Sequence, residues 1–280
     1  MTKEEFREAL KPIGAGLLGR QSQQRYERPH FPVRPIGDML SDLAEIEPWD
    51  WYGYAFSREP LNGKFHDDQR KEWMEKSLAC GKEYAGIVCR EYGTKDPKEL
   101  AKAMGMNISY PEFPEKTDRV LFAEFRVPDK ICIYMDAVNK AARLFLKPEV
   151  TRVLTEGLDV SRLLLAHELF HFVEERYKNE IFTKTEKIRL WSLGFIHNDS
   201  NVIALSEIAA MGFAQEIMKI SYSPYLMDVF LVYGYSPEEA SGLYEEMMQC
   251  AKREPRPAPQ EPSASEELTV QNKAGEKEKI

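Results

Sequence analysis

Residues 163–177 read LLLAHELFHFVEERY, with His167 and His171 four apart and Glu168 directly after the first histidine. Helical residues four apart share a face, so the two imidazoles can address one ion. Glu168 falls one step round, within reach of a water beside that ion. Two ligands and a general base on one rigid element are the physical content of the H-E-x-x-H pattern, and its chemistry is metal-assisted hydrolysis. With five histidines in 280 residues, chance rarely assembles the pattern. A core helix also gains nothing from two imidazoles left without partners.

A catalytic zinc site takes three protein ligands and keeps one position open. Glu174 and Glu175 are the nearest carboxylates. Glu174, however, comes seven residues after His167, a rise of roughly 10 Å, which one ion cannot comfortably span. The third ligand is expected from another helix, and ALSEIAAMGFAQEI (204–217) supplies it. Glu207 sits there among Ala204, Ala210, Met211, Phe213 and Ala214, where a carboxylate is unusual unless paired or metal-bound. Small residues at 209, 210 and 214 would let this helix approach the first one closely. Glu216 is the competing carboxylate, but beside Gln215 and Lys219 it reads as part of a solvated face. The expected ligands are His167, His171 and Glu207, with Glu168 as base. The expected metal is zinc (Zn2+), although two imidazoles and a carboxylate would also hold manganese or iron.

The elements that must position these residues follow from periodicity and caps. DVSRLLLAHELFHFVEERY (159–177) predicts a helix capped by Asp159 or Ser161 and buried through Leu163, Leu164, Ala166, Phe170 and Val173. Upstream, residues 68–93 carry Trp73, Leu78, Tyr84, Ile87 and Val88 at helical spacing, with Gly93 as the stop signal. DPKELAKAMGM places Asp96 as N-cap and Pro97 at the first helical position. MNISY, RVLFAEF and KICIYM are short strand candidates. From 136 onward the chain reads as almost wholly helical: DAVNKAARLFL, the motif helix, NVIALSEIAAMGFAQEIM, and SPEEASGLYEEMMQCAK opening on Ser236 and Glu239. The layout is α+β, a mostly helical body with a small sheet.

Residues 1–66 are expected to be an N-terminal arm packing on or extending a main domain at 67–252. TKEEFREALKPIGAGLL suits a short amphipathic helix, and QSQQRYERPHFPVRPIGD an extended, proline-punctuated run. The aromatic cluster EPWDWYGYAF suits packing against the main domain. Residues 253–280, rich in Pro, Glu, Lys and Ser, are expected to be a disordered tail.

The net charge of −8 and pI near 5.4 show no basic footprint for nucleic acid. Cys80, Cys89, Cys132 and Cys250 have no paired spacing for a metal knuckle or disulfide framework. The polar N-terminus lacks a signal-peptide core, and no apolar run reaches the length of a membrane span. A cytoplasmic protein without a membrane partner is the expectation.

These residues resemble the ImmA/IrrE-type metallopeptidases. AHELFH resembles that family's active-site helix, and EIAAMGFA, from Glu207 to Ala214, its downstream E-x-x-A-x-x-F-A helix. YAGIVCREYGTKDPKELAKAMGMNISY looks like the family's helix, turn and first strand, and KICIYMD like the strand ahead of the active-site helix. The resemblance spans roughly residues 80–225. It implies a zincin-like domain with a gluzincin-like site, and a zinc-dependent peptidase that hydrolyses a peptide bond with metal-activated water. It further implies a specific regulatory protein substrate, such as a DNA-binding repressor.

The departures from the family are Phe170, where a glycine is common, a helix between IYMD and the motif, and the longer stretch NEIFTKTEKIRLWSLGFIHNDS. They define the alternative: a catalytically inactive zinc-binding regulator that sequesters a partner protein, its cleft closed by Phe170 and the insertion. A structural metal with the aromatic arm as working surface is a further reading. The retained Glu168 speaks against both, since neither needs a carboxylate there. For stabilising a developing oxyanion, the candidates are His197, Tyr177 and Tyr134.

Overall fold

The structure, a computed structural model, describes residues 31–114, 121–154, 158–193 and 196–256. The helix expected at 2–18 and residues 257–280 of the expected tail lie outside them. The described residues begin with α1 (Ile36–Ala44), a 3-10 turn (Pro48–Trp51), the single-turn α2 (Tyr52–Ala55) and the long α3 (Asp67–Tyr92). Next come α4 (Pro97–Ala103), β1 (Asn107–Ser109), β2 (Ala123–Arg126), β3 (Lys130–Ile133), α5 (Met135–Leu144) and the short α6 (Pro148–Thr151). The H-E-x-x-H helix is α7 (Val160–Arg176), followed by α8 (Phe182–Thr185) and a hairpin of β4 (Ile188–Leu193) and β5 (Ile196–Ser200). Three helices close the body: α9 (Ile203–Met218), α10 (Leu226–Tyr233) and α11 (Pro237–Cys250). The architecture is α+β, mostly helical with small sheets.

Local chemistry accounts for the helix ends. α3 stops at Gly93, whose φ of 70° lies in the left-handed region that glycine enters without steric cost, and its N–H closes onto the Cys89 carbonyl. Asp96 accepts from the Lys98 and Glu99 N–H groups at the start of α4, with Pro97 at the first position. Asp159 accepts from Arg162 N–H to open α7, and Ser236 from Glu239 N–H to open α11.

The three-stranded sheet has the order β1-β3-β2, with β3 parallel to β1 and antiparallel to β2. Ile131 and Ile133 bury the central strand. β2 is an edge strand lying against α7, with the Phe125 ring edge-on to Phe172 at 6.1 Å.

α9 is clamped between α3 and α7. A Cβ added at Gly81 of α3 would run into the Ala209 carbonyl oxygen and stand 2.7 Å from Phe213 N. One added at Gly212 would stand 2.7 Å from Leu78 O. The tightest backbone approach of α9 is therefore to α3, through these two glycines. Against α7 it packs side chain on side chain, with the Phe170 and Phe213 rings 5.8 Å apart. The glycine-lined approach to α3 is a feature that the sequence reading of the small residues at 209, 210 and 214 did not include.

The stretch after 136 is also less uniformly helical than expected. β4 and β5 pair antiparallel there, with Ile188 and Trp191 supplying β-favouring side chains and Arg189 Nε pairing with Asp199 Oδ1 at 3.0 Å. Trp191 is exposed.

Residues 31–66 share the core. Trp51, Tyr52, Tyr54 and Phe56 are buried while Trp49 is exposed. Glu59 is buried as well. Its Oε1 accepts from Leu61 N–H and its Oε2 from Ala204 N–H, each at 3.0 Å, so it satisfies a free amide in the first turn of α9. At the other end, residues 253–256, expected in the disordered tail, follow α1: Arg256 Nε pairs with Asp42 Oδ1 at 2.6 Å. Two carboxylates on α1, Asp38 and Asp42, outweigh the composition of those four residues. No helix among the described residues is long and apolar enough to cross a membrane.

Candidate metal centre

The buried side of α7 carries Leu163, Leu165, Ala166, Leu169, Phe170 and Val173. Packing that face inward fixes the helix rotation and turns His167 and His171 toward α9. Glu207 meets them there. Its Oε2 lies 3.4 Å from His167 Nε2 and its Oε1 lies 3.7 Å from His171 Nε2. One donor atom from each of the three residues falls within 4.8 Å of the others. Tetrahedral zinc with its usual bond lengths separates ligand atoms by about 3.3 Å, so small side-chain shifts would seat an ion between them. Two imidazoles and one carboxylate are a donor set that suits it.

Glu207 is not embedded among apolar neighbours as its flanking sequence suggested. Its side chain is 49% exposed, and the apolar residues around it occupy the other faces of α9. The residue stands at the mouth of the site, and the correction concerns its surroundings rather than its position.

His167 and Glu207 shift each other's protonation. Burial opposes charge on His167, but the Glu207 hydrogen bond and the nearby Glu168 carboxylate overcome it and raise its pKa to about 9. The rings against Glu207 strip water from its carboxylate and oppose its charge even at the mouth of the site, but the positive charges of His171 and His167 and the His167 hydrogen bond prevail and bring its pKa down to about 2. Glu168 is buried, and burial pushes its carboxyl up, with Glu207 adding and His167, His171 and the Phe125 backbone N–H opposing. A carboxyl raised in this way is a better proton acceptor near neutral pH than a solvated one.

Behind the candidate ligands lie residues that the sequence did not single out for this purpose. Ser206 Oγ stands 3.3 Å from His171 Nδ1 and donates to Glu174 Oε2 at 2.9 Å, while Lys184 Nζ pairs with the same Glu174 oxygen at 2.9 Å. Tyr54 O–H donates to Asp228 Oδ2 at 2.8 Å, and burial raises the Asp228 carboxyl against the pull of Tyr54, Arg58 and His167. Tyr225 is buried and stacked on Trp51 at 5.5 Å, and its hydroxyl has no hydrogen-bond partner among the described residues. Burial, then the charges of Glu207 and Asp228, hold its phenol well above the ordinary range. The one signal for Ser206 was a hydroxyl directly before the ligand in an apolar helix. Tyr225 and Asp228 arrive from α10 and its approach, which nothing in the motif marks.

Of the carboxylates rejected as ligands, Glu174 backs Ser206 and the other two are engaged elsewhere. Glu175 pairs with Lys178 at 2.7 Å, and Glu216 with Lys219. The three oxyanion candidates are also committed. Tyr177 O–H donates to Glu91 Oε2 at 3.2 Å, Tyr134 O–H is held by Glu124, and His197 on the hairpin lies 3.5 Å from Asp199. Phe170, expected in one reading to close the cleft, is fully buried against Phe213 and points into the core.

Comparison of the chain with protein-family models, curated proteins and solved structures finds no match in any of the three. The functional reading therefore stands on the residues and their geometry.

Proposed function

We propose that the chain is a zinc-dependent metallopeptidase of zincin-like architecture. The observation that carries the reading is the convergence of His167, His171 and Glu207 on one point beside a buried, raised Glu168. Bound zinc supplies Lewis acidity and a water of lowered pKa. Glu168 takes the proton of the attacking water and delivers it to the leaving amine. β2 supports a peptide as substrate. Among the described residues it is a sheet edge lying against α7, so an extended chain hydrogen-bonded along it would run beside the helix that bears Glu168. The resemblance to ImmA/IrrE-type metallopeptidases extends the proposal to a specific regulatory protein, such as a DNA-binding repressor, and the net charge of −8 suits a protein partner better than DNA. The inactive sequestering alternative loses one of its supports, because Phe170 does not plug the cleft.

The test is metal content and peptide hydrolysis of the purified protein beside three variants. Wild type should hold one equivalent of zinc, His171→Ala and Glu207→Ala should lose it, and Glu168→Gln should keep it while losing hydrolysis. A wild type that takes up no zinc when supplied with it overturns the reading. Zinc uptake without hydrolysis of any peptide in a broad library would favour the sequestering regulator.

A further inference from the structure

The Ser206 contacts determine more than packing. A serine hydroxyl carries one proton. Glu174, only 3% exposed and paired with Lys184, is as a carboxylate purely an acceptor, so the Ser206 proton goes to it. Ser206 Oγ then meets His171 Nδ1 only as an acceptor, which places a proton on Nδ1. Nε2, the atom 3.7 Å from Glu207 Oε1, is thereby the nitrogen left to offer its lone pair.

We propose that Ser206, Glu174 and Lys184 form a positioning chain that fixes His171 in its metal-ligating tautomer and ring orientation. The proposal rests on the metal-site reading above and adds three residues to it, one of them from a further element, α8. Three features favour this role over simple packing. Glu174 sits on the buried side of α7 with its Oε1 unpartnered, a costly placement that an apolar side chain of similar size would avoid. Its partnered oxygen receives both Ser206 and Lys184, so the charge is directed at the serine that touches the ligand. Lys184 lies on α8 at the foot of the β4–β5 hairpin, one-third exposed, so the chain runs from the metal ligand out to the surface. Outer partners of this kind hold a ligating imidazole in place and typically change metal affinity by about 10- to 100-fold.

The experiment is zinc titration of the full chain against a competing chromophoric chelator, for wild type, Ser206→Ala, Ser206→Thr and Glu174→Gln. The melting temperature of each metal-free protein serves as the check on folding. Ser206→Ala should weaken zinc binding about 10- to 100-fold while still melting cooperatively, and Ser206→Thr, which keeps the hydroxyl, should recover most of the loss. Glu174→Gln should also weaken binding. In the zinc-loaded wild type, the His171 Nδ1–H proton should be visible by NMR and slow to exchange, and in Ser206→Ala it should exchange rapidly. A folded Ser206→Ala with wild-type zinc affinity and a wild-type Nδ1–H signal overturns this inference alone. A wild type that binds no zinc overturns it together with the site.

Discussion

Glu59 Oε2 accepts a hydrogen bond from Ala204 N–H at 3.0 Å, joining the N-terminal segment to the first turn of the helix that bears Glu207. Val202, the residue preceding α9, offers no side-chain cap of its own. Glu59 therefore performs at long range what a local Ser or Asp does at α4 and α11. Glu59→Ala should lower folding stability by about 1–3 kcal/mol, because Ala204 N–H would stay buried without a partner. It should also weaken zinc retention by letting the first turn of α9 fray. Urea unfolding of the two proteins measures the first effect, and unchanged stability would show that water replaces the carboxylate at no cost.

The proton shared by His167 and Glu207 gives the site a defined pH response. The folded pKa of His167 is raised to about 9 from an ordinary value near 6.5. In the metal-free protein its stabilising contribution is therefore complete below about 6.5 and is lost as pH rises through about 9. Glu207, held at about 2, contributes above its ordinary range near 4.3 and loses that contribution as pH falls through about 2. Zinc needs the unprotonated imidazole, so zinc affinity should climb between pH 6.5 and 9 by up to about tenfold per unit. The metal-free protein should meanwhile lose stability over the same interval. Affinity flat across that window would mean that no proton is displaced from the site.

Phe170 separates two accounts of the site. As a plug in the cleft, its removal would open access and raise hydrolysis. As a core residue fully buried against Phe213, its removal leaves a cavity. Phe170→Ala should cost about 3–5 kcal/mol in unfolding experiments, with no gain in turnover for the fraction that remains folded. A rise in hydrolysis at undiminished stability would restore the closed-cleft account.

The pattern around Phe170 shows what the sequence carries and what it leaves out. The spacing of His167, Glu168 and His171 is local, and helical geometry alone puts the two imidazoles on one face. Gly93, Asp96, Asp159 and Ser236 mark helix ends by chemistry contained within a few residues, and those ends are where expected. Glu207 was reachable because a carboxylate is conspicuous in an apolar helix, although its exposure shows that only part of that argument applies. Ser206, Asp228 and Tyr225 were not legible, because their relation to the histidines and Glu207 exists only in the folded chain, where α9 packs on α7 and Tyr225 stacks on Trp51. The hairpin at 188–200 was missed for a different reason. Its β-branched and aromatic residues form too short a run to stand out from the helices on either side.

Tyr225 provides the sharpest test of how far the buried surroundings serve the metal. Its hydroxyl is buried without a partner among the described residues, its ring is stacked beside Trp51, and the charges of Glu207 and Asp228 act on its phenol. If the hydroxyl were only a packing residue, Tyr225→Phe would relieve an unsatisfied polar group and leave the protein equally stable or slightly more so. The same change should be felt at the site if the hydroxyl donates to Glu207 once that carboxylate turns toward an ion. Neighbours that orient a ligand typically alter affinity by about 10- to 100-fold. The expected outcome is a metal-free Tyr225→Phe protein at least as stable as wild type, paired with zinc binding weakened by about tenfold. Thermal melting of the metal-free forms and chelator competition on the loaded forms read the two quantities independently. Unchanged zinc affinity would assign Tyr225 to the aromatic core with Trp51 and Tyr54, whereas a large loss of metal-free stability would mean that the hydroxyl has a partner, such as a bound water.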